Sequence, residues 1–187
     1  MTAREFVQNI VLLGLSALLA GLVIPYVLKI VDFRRERARA EYESRSARQA
    51  RVLDSQADFL EEISRKLWDW RYLCMKVTYY GAGDLDDEYR AAVREYDAGI
   101  WVELNAVRNL VSRSRRLSSN HCYQVLIDFY ERYMVRLDND LRDARGVEEK
   151  LLRRAAYIEL NRFIFSETTI RIDEILDSLA EELGLKG

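Results

Sequence analysis

Apolar and polar positions alternate in three distinct ways along this chain, and each predicts a different kind of helix. No residue from Phe6 to Leu28 carries a formal charge, and Ile10 to Leu28 is nearly all apolar. A helix rises about 1.5 Å per residue, so roughly 20 residues cross the hydrocarbon core of a bilayer. The run is long enough to span. A cleaved signal peptide is the competing reading, but it has a shorter apolar region and a small-x-small cleavage site. The end of this run, Val23-Ile24-Pro25-Tyr26-Val27-Leu28, offers no such site. Residues 1–31 are therefore expected to form an uncleaved signal anchor.

The charged stretch 32–52 follows, rich in helix formers and poor in apolar side chains. Arg37/Glu41, Arg39/Glu43 and Glu41/Arg45 stand at i, i+4, where exposed ion pairs contribute a few tenths of a kcal/mol each. This pattern predicts a solvated juxtamembrane helix, a stalk. Its charge also sets orientation. Before the apolar run Arg4 and Glu5 cancel, whereas Lys29, Arg34, Arg35, Arg37 and Arg39 follow it against Asp32 and Glu36. Positive flanks stay on the cytoplasmic side, so the N-terminus should face out of the inner (plasma) membrane and the bulk of the chain face in. Lys29 to Arg51 holds eight basic and four acidic residues, 8 − 4 = +4, which favours an anionic leaflet.

Beyond Val52 the spacing turns amphipathic. Leu53, Leu60, Leu67 and Cys74 recur every seven residues, with Ile63, Trp70 and Val77 interleaved, which is one seam of a helix. Trp68, Tyr72, Met75 and Tyr79 form a second stripe, more than about 90° around the same helix. A helix apolar on two sides touches two neighbours or belongs partly to an interface. Gly81-Ala82-Gly83-Asp84 ends it.

A second helix is expected from about Asp86 to Val111, with Tyr89, Val93, Tyr96, Ile100, Leu104, Val107 and Val111 inward. Ser118, Ser119 or Asn120 should cap a third, carrying Tyr123, Leu126, Ile127, Tyr130, Met134, Leu137 and Leu141, with Gly146 at its C′ position. A fourth pattern, Val147 to Leu183, begins with Leu151, Leu152, Ala155, Ile158 and Phe163 and continues with Thr169, Ile172, Leu176, Leu179 and Leu183. It exceeds its partners in length, so it should break near Ser166 or overhang, leaving Ile170–Leu183 to lie beside the stalk. Short turns predict an antiparallel up-down-up-down bundle over 53–187. The expected architecture is all-α: one N-terminal transmembrane helix, a charged helical stalk and a cytoplasmic four-helix bundle.

Composition narrows the function classes. The 187 residues include one Pro and 8 Gly, too few for a fold of many short strands. Lys+Arg 29 against Asp+Glu 31 gives a net charge of −2, so bulk charge does not point to nucleic acid. The two cysteines, Cys74 and Cys122, make no disulfide framework.

Catalytic patterns are weak. His121 is the only histidine and has no Cys/His cluster at ligand spacing around it, and His121 beside Cys122 lacks a third residue to orient a nucleophilic pair. Cys74 lies on the apolar seam and reads as a small buried hydrophobe. The acids Asp84, Asp86, Asp87 and Glu88 suit a helix N-terminus better than a calcium loop. Arg108, Arg113, Arg115 and Arg116 are anion-binding candidates by their guanidinium forks, although cations also belong at a helix C-terminus. No Gly-rich phosphate loop accompanies them.

Trp68, Tyr72, Met75 and Tyr79 are the partner-binding candidates, since Trp and Tyr beside Arg71 match the composition of binding hot spots. Ser16, Ala17, Ala20 and Gly21, small residues at i, i+4, are candidates for self-association of the span. The expected function is a membrane-tethered scaffold or signalling protein without catalytic activity or cofactor, acting through a protein partner or a second copy. Two rivals remain. One is a membrane effector whose cytoplasmic domain controls assembly of the span. The other is a cryptic enzyme with an Arg/Asp/Tyr site.

Overall fold

In a computed structural model, residues 21, 24–83 and 85–185 are described, and among them the chain is helical with no strand. The elements are α1 (Ile24–Ala82), α2 (Asp86–Leu117), α3 (Asn120–Phe129), π1 (Tyr130–Val135), α4 (Arg136–Gly146), α5 (Lys150–Phe163), π2 (Ile164–Thr168) and α6 (Thr169–Glu182). Each π segment joins its flanking helices without a break, so α3–π1–α4 and α5–π2–α6 act as one helix each, which makes four helices among the described residues from Ile24 onward. No helix among the described residues is long and apolar enough to cross a membrane. Of the expected span at 6–28, only residues 21 and 24–28 are among them.

Contacts divide the chain into two units at Val52/Leu53. In the first, every residue from Lys29 to Val52 is exposed. Arg39 Nε donates to Glu43 Oε1 at 3.0 Å, one of the i, i+4 pairs the charge pattern predicts.

The second unit is organised around the inner face of α1, where Phe59, Ile63, Leu67, Trp70, Cys74 and Val77 are fully buried. The heptad seam is thus correct from Ile63 onward. At its start Phe59 is the buried residue while Leu53 is about half exposed, because the packed face begins only where α2 ends opposite: Gln56 Nε2 donates to the Leu117 carbonyl at 3.0 Å. Along the rest of α1 and α2, Glu62 pairs with Arg113, Lys66 with Glu103 and Lys76 with Glu95. Numbers that rise on one helix and fall on the other mean antiparallel neighbours. The α2–α4 pairs Tyr96–Asp138 and Asp97–Arg145, and the ring stack of Tyr133 on Phe163, extend the same up-down order to the third and fourth helices.

Helix ends follow the chemistry of their residues. Ser119 caps α3, its hydroxyl accepting from the backbone N–H of His121 at 3.1 Å and of Cys122 at 3.3 Å. Gly146 does not adopt the expected left-handed C′ conformation; among the described residues only Gly184 has positive φ, at 68°. There Leu185 N–H reaches Ala180 O at 2.8 Å and Gly184 N–H reaches Glu181 O at 3.1 Å, the paired bonds of a Schellman motif.

Two expectations are corrected. Leu151, Leu152 and Ile158 are exposed, not core, and the first half of the fourth helix is held by Tyr157 and Ile164 instead. The Ile170–Leu183 segment is no overhang: Ile172, Ile175, Leu179 and Leu183 are buried in the bundle core. The helix neither breaks nor projects at Ser166, because π2 widens one turn there. Ser166 Oγ donates to Arg162 O at 2.7 Å and Thr169 Oγ1 to Ile164 O at 2.9 Å, taking up carbonyls around the wide turn. In π1 the buried positions step from Phe129 to Met134, five residues rather than three or four. A π turn makes that step possible while keeping both halves facing the core.

Candidate functional site

The outer face of α1 within the second unit meets π2 and α6 around one side chain, Arg71. Its guanidinium carbon lies 5.3 Å from the Trp68 ring centroid and 5.3 Å from that of Phe165. Its Nε donates to Thr169 Oγ1 at 2.8 Å. Partial burial lowers the Arg71 pKa from its ordinary value, with Asp173 opposing that shift. A guanidinium stacked between two rings and tied to a helix hydroxyl is pre-oriented, because its planar fork has little freedom left to lose.

Around Arg71 the surface is apolar and aromatic. Tyr72 is 50% exposed, Tyr79 60%, Phe165 51% and Ile158 42%, with Trp68 and Met75 half-buried beside them. Tyr79 packs edge-on to Tyr80 at 5.3 Å between centroids, and Lys76 Nζ stands 5.5 Å from the Tyr72 ring. Trp68, Tyr72, Met75 and Tyr79 therefore all lie on one side of α1, and none is part of the fully buried core. Phe165 and Ile158 complete the face from the fourth helix. Phe165 was not singled out from the sequence, where it stands immediately before the boundary expected at Ser166; the available signal was its i, i+7 relation to Ile158.

Arg108, Arg113, Arg115 and Arg116 do not converge. Arg113 Nη1 is 3.0 Å from Glu62 Oε2 and the Arg115 guanidinium stacks at 4.5 Å on Tyr123, while Arg108 and Arg116 are exposed, eight residues apart along α2. Ser16, Ala17 and Ala20 lie outside the described residues. Gly21 is exposed, and a Cβ added there would meet no atom within 4 Å.

Titratable groups inside the bundle are hydrogen-bonded to one another. Tyr96 O–H donates to Asp138 Oδ1 at 2.6 Å, and Arg142 Nη2 holds the other carboxylate oxygen at 2.9 Å. Burial, followed by the nearby Cys74 and Asp138, pushes the Tyr96 pKa far up. Cys74 is pushed up likewise, first by burial. Asp138 is buried yet fully engaged, an arrangement without an open acid or base.

At the opposite end, Cys122 Sγ donates to Glu182 Oε2 at 2.7 Å and Ser119 Oγ donates to the same oxygen at 2.8 Å. Burial, then the Glu182 carboxylate, raises the Cys122 thiol to about 12. Burial opposes ionisation of Glu182, but hydrogen bonds from Cys122 and Ser119 outweigh it and lower its pKa. The thiol is thus a donor that ties α6 to the start of α3. Among the described residues no group of three His, Cys, Asp or Glu side chains is placed to hold a metal. Asp84 lies outside them, and Asp86 and Asp87 are exposed beside Lys150 and Arg90.

Comparison with family models, with curated proteins and with solved structures gives no match to this chain. Its functional reading rests on its own residues.

Proposed function

We propose that this chain is a membrane-tethered interaction protein without catalytic activity. The apolar run 6–28 is the single span, with the N-terminus outside; residues 32–52 are the charged stalk, and 53–187 form a cytoplasmic bundle that engages a protein partner. The observation that carries the reading is the aromatic face of Trp68, Tyr72, Met75, Tyr79 and Phe165 gathered around a fixed Arg71. Exposed aromatics around a positioned Arg are the composition in which binding energy concentrates. Trp68 and Met75 pack partly against the core, whereas Tyr72, Tyr79 and Phe165 are exposed beside them. Small residues at 16, 17, 20 and 21 favour pairing of spans, and the exposed Arg108 and Arg116 favour an acidic partner surface.

A photo-crosslinking amino acid placed at Tyr72 of the full chain in its own membrane tests the proposal. The expected result is a discrete protein adduct that disappears when Phe165→Ala is added. Crosslinks to lipid alone, or an adduct indifferent to Phe165→Ala, would contradict it.

A further inference from the structure

The first turns of α1 carry an arrangement that the partner face does not use. Tyr26, Ile30 and Phe33 recur at i, i+4 and i+7, which places them on one side of the helix. All three are exposed, Tyr26 at 67% and Phe33 at 57%. The Arg37 guanidinium stands 5.1 Å from the Phe33 ring centroid, one turn further along the same side. Lys29 and Arg34 flank this stripe and are also exposed. Asp32 and Glu36 stand at i, i+3 and i, i+7 from Lys29 and border the stripe on that flank, whereas Arg34 borders the other.

Aromatic rings with a polar edge settle at the headgroup level of a bilayer, and long basic side chains extend along the apolar layer toward anionic lipid. The stripe begins inside the uncharged run that ends at Leu28, and helix α1 is already formed at Ile24 and passes through Arg37 unbroken. We infer that Tyr26, Lys29, Ile30, Phe33, Arg34 and Arg37 form a headgroup-level band that binds anionic phospholipids of the cytoplasmic leaflet. The rings supply depth and the three bases supply charge selectivity. This inference rests on the proposed span. Basic charge fits the anionic headgroup, and the neighbouring apolar run fits the acyl layer.

The experiment uses the full chain extracted in detergent, with native mass spectrometry of retained lipid after adding phosphatidylglycerol or phosphatidylcholine. The wild type should retain phosphatidylglycerol preferentially, falling about fivefold for each base removed in Lys29→Gln, Arg34→Gln and Arg37→Gln. Asp32→Asn with Glu36→Gln should raise retention. Equal retention of the two lipids, or a preference unmoved by the three glutamines, would overturn the inference while leaving the span intact. Displacement of the lipid by millimolar inorganic phosphate would overturn the leaflet assignment. Full-length protein recovered without detergent would instead overturn the span on which the inference depends, and that result is seen before any lipid is added.

Discussion

Two stretches of α1 show how differently one helix can be held. From Lys29 to Val52 every residue is exposed, and side chains meet in contacts such as the exposed Arg39–Glu43 pair and Arg37 on the Phe33 ring. From Phe59 to Val77 a residue is buried completely every three or four positions. The first stretch depends on helix propensity and local charge; the second depends on three neighbouring helices. Removal of one side chain should therefore matter greatly in the second and little in the first. The charged stretch leaves all its side chains exposed, and the packed stretch leaves Tyr72 and Tyr79 exposed on its outer side.

The largest effect is expected at Trp70, which is fully buried and packs edge-on against Phe129 at 5.9 Å. Trp70→Ala should destabilise the bundle by about 3–5 kcal/mol, measured by urea unfolding of the full chain in detergent. Next is Gly81, where an added Cβ would lie 2.4 Å from Tyr157 Cδ2, and Tyr157 is itself buried. Gly81→Ala should cost about 1–3 kcal/mol through overpacking, against a small gain for alanine at an open helical site.

Tyr96→Phe removes the O–H that Asp138 accepts and should cost about 1–3 kcal/mol. It should also change the alkaline limb of stability. Tyr96, Tyr157, Cys74 and Cys122 all have raised pKa values, from ordinary ones of 10.0 for tyrosine and 9.0 for cysteine. Above those values the unfolded chain holds fewer protons than the folded one, so stability falls as pH rises. It should be fully present below about pH 9 and decline above it, and Tyr96→Phe should make the decline shallower. A melting temperature flat from pH 8 to 11 would contradict this assignment.

On the outer side of the packed stretch, Tyr79→Ala should change stability by no more than about 0.5 kcal/mol, since a surface residue has little packing to lose. A larger loss would mean that the face belongs to the bundle and not to a partner. In the charged stretch Arg39→Ala should alter helicity by a few tenths of a kcal/mol at most, read by circular dichroism.

How much of this was legible depends on what the residues had to satisfy. Ile63 to Val77 could be read because their seven-residue recurrence is long enough to fix a phase. Leu53 broke the pattern because its partner helix ends before reaching it. Leu151, Leu152 and Ile158 misled because apolar character alone does not distinguish an inner side chain from an outer one; Tyr157 between them is the buried residue. The five-residue step from Phe129 to Met134 has no counterpart in a 3.6-residue pattern, which made Tyr130 look like core when it is half-buried. Asp138 sat unremarked in a charged run, although Tyr96 supplies the donor that lets it be buried. Of the candidate face, the α1 half was visible as a second stripe, while Phe165 required knowledge of which helix lies beside Arg71.

Membrane attachment is the claim on which the rest depends, and extraction measures it directly. Membranes from cells expressing the full chain, washed with alkaline carbonate and centrifuged, should retain the protein in the pellet and release it only with detergent. Release into the carbonate supernatant, or a mature chain whose first residue lies beyond Leu28, would contradict the account.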